Sequence, residues 1–187
     1  MKNLIRLSSL VFIYFSLQAC VSSDKINNSH QNLNQIAADD NVKLGLAYLQ
    51  EGNTPRAKEK LLMAVEQAPR WAVAKDALGY FFEVTGDKKT AEKYYQQAII
   101  LSPYDGASLN NYGTFLCRDH RPVEAEKMFL KAAIIPDYLN TAEAYENAGL
   151  CALTIPDKNK AKIYFEKALQ QEPQRKISAR ELEKLNE

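Results

Sequence analysis

Small, apolar and charged positions fall along this chain in a register that recurs. From Ala72 to Asp105, AVAKDALGYFFEVTGDKKTAEKYYQQAIILSPYD, the pattern reads as two short helices joined at Gly86-Asp87. Moving 34 residues back from Gly79, Ala91, Ala98 and Pro103 lands on Gly45, Ala57, Ala64 and Pro69. Moving 34 forward from the first three lands on Gly113, Ala125 and Ala132, and a further 36 on Gly149, Ala161 and Ala168. Self-similarity at this period predicts an all-α solenoid of stacked helix pairs.

The residue types explain the pairs. Glycine and alanine where two helices cross let their backbones approach, and an aromatic fills the wider space beyond. Proline closes the second helix because it lacks an amide donor. Thr54-Pro55 reads as an N-cap followed by proline at the first helical position. Gly52-Asn53 and Gly86-Asp87 supply turns, where the later units have His120-Arg121 and Pro156-Asp157. The pattern resembles the tetratricopeptide repeat, which implies a right-handed superhelix. Its first unit, 38–71, has Leu44, Gly45, Tyr48, Ala57, Leu61, Ala64 and Pro69. The second, 72–105, has Leu78, Gly79, Phe82, Ala91, Tyr95, Ala98 and Pro103. The third, 106–141, carries Leu109, Tyr112, Gly113, Leu116, Ala125, Phe129 and Ala132, with Pro136 one place early. The fourth, 142–175, carries Tyr145, Gly149, Ala161, Phe165, Ala168 and Pro173. The aromatics are read as core. Residues 176–187 are expected to be a capping helix or the stump of a fifth unit. There Ser178 and Glu181 have capping-box spacing, and Ile177, Leu182 and Leu185 are available to cover the last pair.

The residues ahead of the repeats read differently. Lys2 and Arg6 precede an apolar run from Leu7 to Leu17, too short to span a bilayer. Leu17-Gln18-Ala19-Cys20 resembles a bacterial lipobox, which makes 1–19 a signal peptide and Cys20 the acylated first mature residue. The alternative is an ordinary secretory peptide with a chance cysteine. Val21, where aspartate would resemble an inner-membrane retention signal, favours the outer membrane. The rest of 20–37 is rich in Ser, Asn and Gln and reads as a flexible tether reaching about 20–25 Å. His30 within it is read as solvated.

Composition narrows the function. With 24 Lys and Arg against 23 Asp and Glu the net charge is +1, without the basic footprint of a nucleic-acid binder. No nucleophile elbow, zinc-binding helix or phosphate loop is present, and Asp119-His120 sits in a turn. No catalytic residue, metal site, cofactor or small-molecule substrate is therefore expected. Cys117 and Cys151 fall on first helices that should be neighbours, in a compartment where disulfides persist. A Cys117–Cys151 bridge and a pair of buried thiols both fit that placement.

The segments Asn110-Asn-Tyr-Gly-Thr-Phe-Leu-Cys117 and Glu146-Asn-Ala-Gly-Leu-Cys151, with Glu124-Ala125, Pro136-Asp137-Tyr138 and the lipobox, resemble the type IV pilus biogenesis and stability lipoproteins. These are the pilotins of the pilus secretin. The resemblance runs from Cys20 to about Pro173, although family members usually carry about six repeats. It implies a non-enzymatic outer-membrane lipoprotein, facing the periplasm, that binds secretin subunits and promotes their multimerisation. A scaffold for another envelope complex, such as cell-wall hydrolases, is the alternative. Carried over from tetratricopeptide arrays, the concave groove falls on Leu46, Leu49, Tyr80, Glu83, Val84, Asn110 and Thr114, a mixture suited to an amphipathic segment. Arrays that clamp a C-terminal carboxylate use lysine and asparagine at places that here hold Val42, Asp76, Asn110 and Glu146. Without a lysine among them, carboxylate capture is not expected. Each acyl methylene buried in a bilayer contributes about 0.8 kcal/mol, so several chains anchor firmly. Palmitate labelling and flotation with outer membranes are the expected behaviour, and Cys20→Ser should abolish both; unchanged labelling in that variant refutes the anchor.

Overall fold

The computed structural model describes residues 33–155 and 157–187, and all the regular structure among them is helical. Helix α1 covers 33–50. It is followed by α2 (Thr54–Gln67), α3 (Ala72–Val84), α4 (Lys88–Leu101) and α5 (Gly106–Arg118). Then come α6 (Pro122–Ala133), α7 (Thr141–Ala152), α8 (Lys158–Gln171) and α9 (Lys176–Asn186). From α2 on, successive helices pack against one another, and α3 also meets α5, α5 meets α7, and α7 meets α9; α1 meets α2 where Leu61 lies against Gly45. This is the stacked helix-pair architecture that the periodicity predicts. The expected signal peptide and the expected acylation site Cys20 lie outside the described residues. Residues 33–37, read from composition as tether, are already helical. Nothing in Leu33-Asn-Gln-Ile-Ala37 breaks a helix, and the Asn41 side chain donates to the Ala37 carbonyl at 3.1 Å.

Within each pair, one glycine meets one large side chain. A Cβ on Gly45 would lie 2.6 Å from Leu61; on Gly79, 2.9 Å from Tyr95; on Gly113 and on Gly149, 2.7 Å from Phe129 and Phe165. These four partners are at most 1 % exposed. The repeating alanines Ala57, Ala64, Ala91, Ala98, Ala125, Ala132, Ala161 and Ala168 are all 0 % exposed. The period is thus written in contact distance: only the smallest residues fit where the backbones cross.

The turns follow one design. Gly52 and Gly86 have φ of 75° and 89°, and His120, at the same place in the third pair, has φ of 60°. His120 is exposed and serves as a turn residue. The next residue caps the second helix: Asn53, Asp87 and Asp157 accept from the amides of Arg56, Thr90 and Lys160. Asn53 therefore takes the capping role expected of Thr54, which is the first residue of α2. In the third pair Arg121 stands there without a side-chain cap and instead pairs with Glu92 at 2.6 Å and Glu124 at 2.8 Å. The two extra residues before α7 carry Tyr138, whose ring lies against Gly106.

Leu182 and Leu185 of α9 pack on the core of the second half, as expected of a cap, whereas Ile177 is 42 % exposed. The capping box is not formed. Ser178 lies inside α9, fully buried, and both its amide and its hydroxyl donate to Glu146. Glu181 pairs with Arg180 and Lys184 instead.

Cys117 of α5 and Cys151 of α7 are joined as a disulfide with Cα atoms 5.8 Å apart. The bond crosses from one helix pair to the next, at the junction that also absorbs the two-residue insertion.

Adding a methyl at Gly113 should cost about 1–3 kcal/mol in overpacking, against up to about 1 gained in helix propensity. Gly113→Ala is therefore expected to lose about 1–2 kcal/mol in urea unfolding, and an unchanged midpoint would contradict the close-approach account. Closing a loop of sequence separation 34 contributes about 3–4 kcal/mol in the chain-entropy model. Protein from an oxidising compartment should resist thiol alkylation at Cys117 and Cys151 under denaturing, non-reducing conditions; two labelled thiols would show that the bridge does not form there.

Candidate protein-binding groove

The first helices of the pairs stand side by side, and between α1, α3, α5 and α7 opens a cavity of about 550 Å³. Of the seven residues expected there, Leu46, Tyr80, Glu83, Asn110 and Thr114 line it. Leu49 does not: it is 9 % exposed and belongs to the core of α1–α3 with Ala57 and Leu61. Val84, the last residue of α3, is 52 % exposed and is not part of the cavity lining. The apolar part of the lining includes Leu46, Val73 and Tyr80 beside Val42, Ala77 and Ala107; Tyr80 is 43 % exposed.

The polar part was not legible as a group. Asp76, Asp105, Ser108, Asn111, Glu143 and Asn147 all line the cavity. Asparagines link the repeats across its floor: Asn111 donates to Asp76 Oδ2 at 2.5 Å, and Asn147 to Asn110 Oδ1 at 3.1 Å. Arg118 is the cation of the lining and is held by Glu83 at 3.0 Å. Glu83 also accepts the Tyr95 hydroxyl at 2.7 Å, and burial together with that carboxylate pushes the phenol well above its ordinary range. These bonds fix the walls and leave the mouth open.

Asp76 differs from the other groove acids. It is 9 % exposed, and its Oδ1 has no hydrogen-bond partner. Burial pushes its carboxyl up to about 7; the Asn111 bond opposes that rise and the neighbouring charge of Asp105 reinforces it. Glu146, at the corresponding place 70 residues on, is fully served. Burial alone would raise its carboxyl, but the Arg175 guanidinium and the two Ser178 donors hold it below the ordinary value. Among the described residues no group of three or more His, Cys, Asp or Glu side chains is arranged to hold a metal ion.

Comparison with known proteins places the chain. The tetratricopeptide repeat model matches residues 142–175. An uncharacterised protein of Haemophilus influenzae is 32% identical over 186 residues, which is 100% of this chain and 98% of that one. The type IV pilus assembly protein PilF of Pseudomonas aeruginosa is 36% identical over 164 residues, 87% of this chain but 65% of its own length. The solved structure of that PilF superposes with a TM-score of 0.75, covering 81% of this chain and 68% of its own. PilW, a type IV pilus biogenesis factor, superposes with a TM-score of 0.72 at 25% identity, covering 80% and 68%. The chain belongs to the family of the Haemophilus influenzae protein and is a tetratricopeptide-repeat protein related to the type IV pilus assembly factors PilF and PilW.

Proposed function

We propose that this protein acts in type IV pilus biogenesis as an outer-membrane lipoprotein that binds secretin subunits and promotes their multimerisation. The observation that carries the reading is 36% identity to a pilus assembly protein, in a chain whose concave face keeps an open cavity of about 550 Å³. Acylation at Cys20 would hold the repeats just beneath the membrane in which a secretin inserts. The groove would shield an amphipathic segment of the subunit from aggregation while the lipid carries the pair to the membrane. The work asked of the repeats is binding alone.

The exposed ring of Tyr80 at the cavity wall is the natural anchor for an apolar client side chain, since aromatic anchors dominate such interfaces. Tyr80→Ala is expected to weaken binding to detergent-solubilised secretin roughly tenfold while leaving helical content unchanged by circular dichroism. A strain lacking the gene should show fewer secretin multimers and surface pili, with monomers mislocalised. Normal multimers in that strain, or cell-wall hydrolases as the sole partners that co-purify, would replace this reading with the scaffold alternative.

A further inference from the structure

The repeat register allows one junction of this molecule to be read against another. At the junction after α7, the Glu146 carboxylate receives Arg175, 29 residues on, at 2.8 Å and Ser178, 32 residues on, at 2.7 Å. The corresponding carboxylate after α3 is Asp76, and the same offsets lead to Asp105 and Ser108. The serine is retained, but the cation is replaced by a second acid. Ser108 accordingly turns its hydroxyl to Asp105 at 2.9 Å, and Asp76 Oδ1 is left buried without a partner. A third acid, Glu143, shares the cavity lining. Among the described residues Asp76, Asp105 and Glu143 form no ion pair, since Arg118 is already taken by Glu83.

A buried carboxylate oxygen without a donor is destabilising, and more so when charged. Such a cost is removed if a cation arrives from outside, and the open cavity in front of Asp76 provides the route. We propose that the groove between α3 and α5 recognises a lysine or arginine side chain of the client segment, seated against Asp76 where Arg175 sits against Glu146. The client is then a peptide segment with one basic residue among apolar ones: the base meets Asp76 and Asp105, and the apolar neighbours meet Tyr80, Val73 and Leu46. The polarity is the reverse of a groove that captures a carboxylate. The raised carboxyl of Asp76 fits the same picture, because an incoming cation returns it to the ionised state. The inference rests on the proposed function for the identification of this groove as the client site, and it adds the chemistry of the residue recognised.

The test uses the full-length lipoprotein in detergent micelles and short peptides of Leu, Ala and Ser, blocked at both ends, with one central residue set to arginine, lysine, citrulline or glutamate. Blocking removes terminal charges, so the central residue carries the discrimination. The arginine and lysine peptides should bind at least roughly tenfold more tightly than citrulline, and Asp76→Asn should remove that advantage while leaving citrulline binding unchanged. Asp105→Arg, which places a cation where Arg175 stands against Glu146, should also remove the advantage; because it gives up the Asp105 cap on α5, its helical content is checked by circular dichroism. It provides the readout if Asp76→Asn does not fold. Equal affinity for arginine and citrulline peptides, an advantage that survives both substitutions, or no binding by any of the peptides would overturn the proposal. Tiled peptides of the secretin's periplasmic part separate the two readings. If they bind and Asp76→Asn and Asp105→Arg leave them unaffected, cation recognition fails and the secretin reading stands. If none competes with the arginine peptide, the secretin reading fails and cation recognition stands.

Discussion

Everything in this molecule depends on how closely two helices approach within a pair. The contact of Gly79 with Tyr95, repeated as Gly45 with Leu61, Gly113 with Phe129 and Gly149 with Phe165, brings each first helix against its second. A large side chain lying on a glycine gains dispersion contacts along its whole length, and it excludes any Cβ from that place. The alanines around it, all fully buried, continue the same constraint. A helix pair built this way has a narrow crossing and a fixed splay, and stacking such pairs produces the concave wall of first helices.

Between pairs the cement is more varied. Tyr112 donates to Glu92 at 3.0 Å, Lys160 to Glu126 at 2.9 Å, and Tyr164 also to Glu126. Phe82 packs against the core clusters on either side of it and so joins the two halves. At the junction with the two-residue insertion, Tyr138 fills the space over Gly106, and the Cys117–Cys151 bridge spans the same interface. A solenoid is held only through nearest neighbours, so the least regular junction is where a covalent link has the greatest local effect. At the far end Glu146, Arg175 and Ser178 tie α9 to α7 by a buried ion pair in which both Glu146 oxygens accept, while the Arg175 Nε is left without a partner. Removing one partner from such a set costs far more than the set itself contributes.

The groove follows from the same geometry. Because the first helices line up, equivalent residues recur along its floor, and a change of one residue type at one junction stands out. Where position 175 holds arginine, the carboxylate is neutralised internally; where position 105 holds aspartate, the Asp76 carboxylate keeps a buried oxygen without a partner beside the cavity that the residue lines. On the proposed reading, stability and recognition are alternative uses of one position. The fourth repeat spends its acid on docking α9, and the second leaves its acid for something else.

The sequence by itself determined the repeat and the helix pairs, because each depends on residue type at a fixed offset along one helix. Tertiary structure decided the rest. Leu49 went to the core and Val84 stayed exposed outside the cavity lining, since which side of a helix faces a cavity depends on the rotation that packing imposes. Ser178 left a local capping pattern for a buried carboxylate 32 residues away, because a fully buried hydroxyl follows the strongest acceptor within reach. His120 adopted a left-handed backbone that composition assigns to glycine, the register of the turn outweighing its modest strain. The pairing of Asp76 with Asp105 in one cavity required two helices of different repeats to be brought together. Offsets along a helix can be read from a chain; which charges share a buried space is settled only when the helices stack.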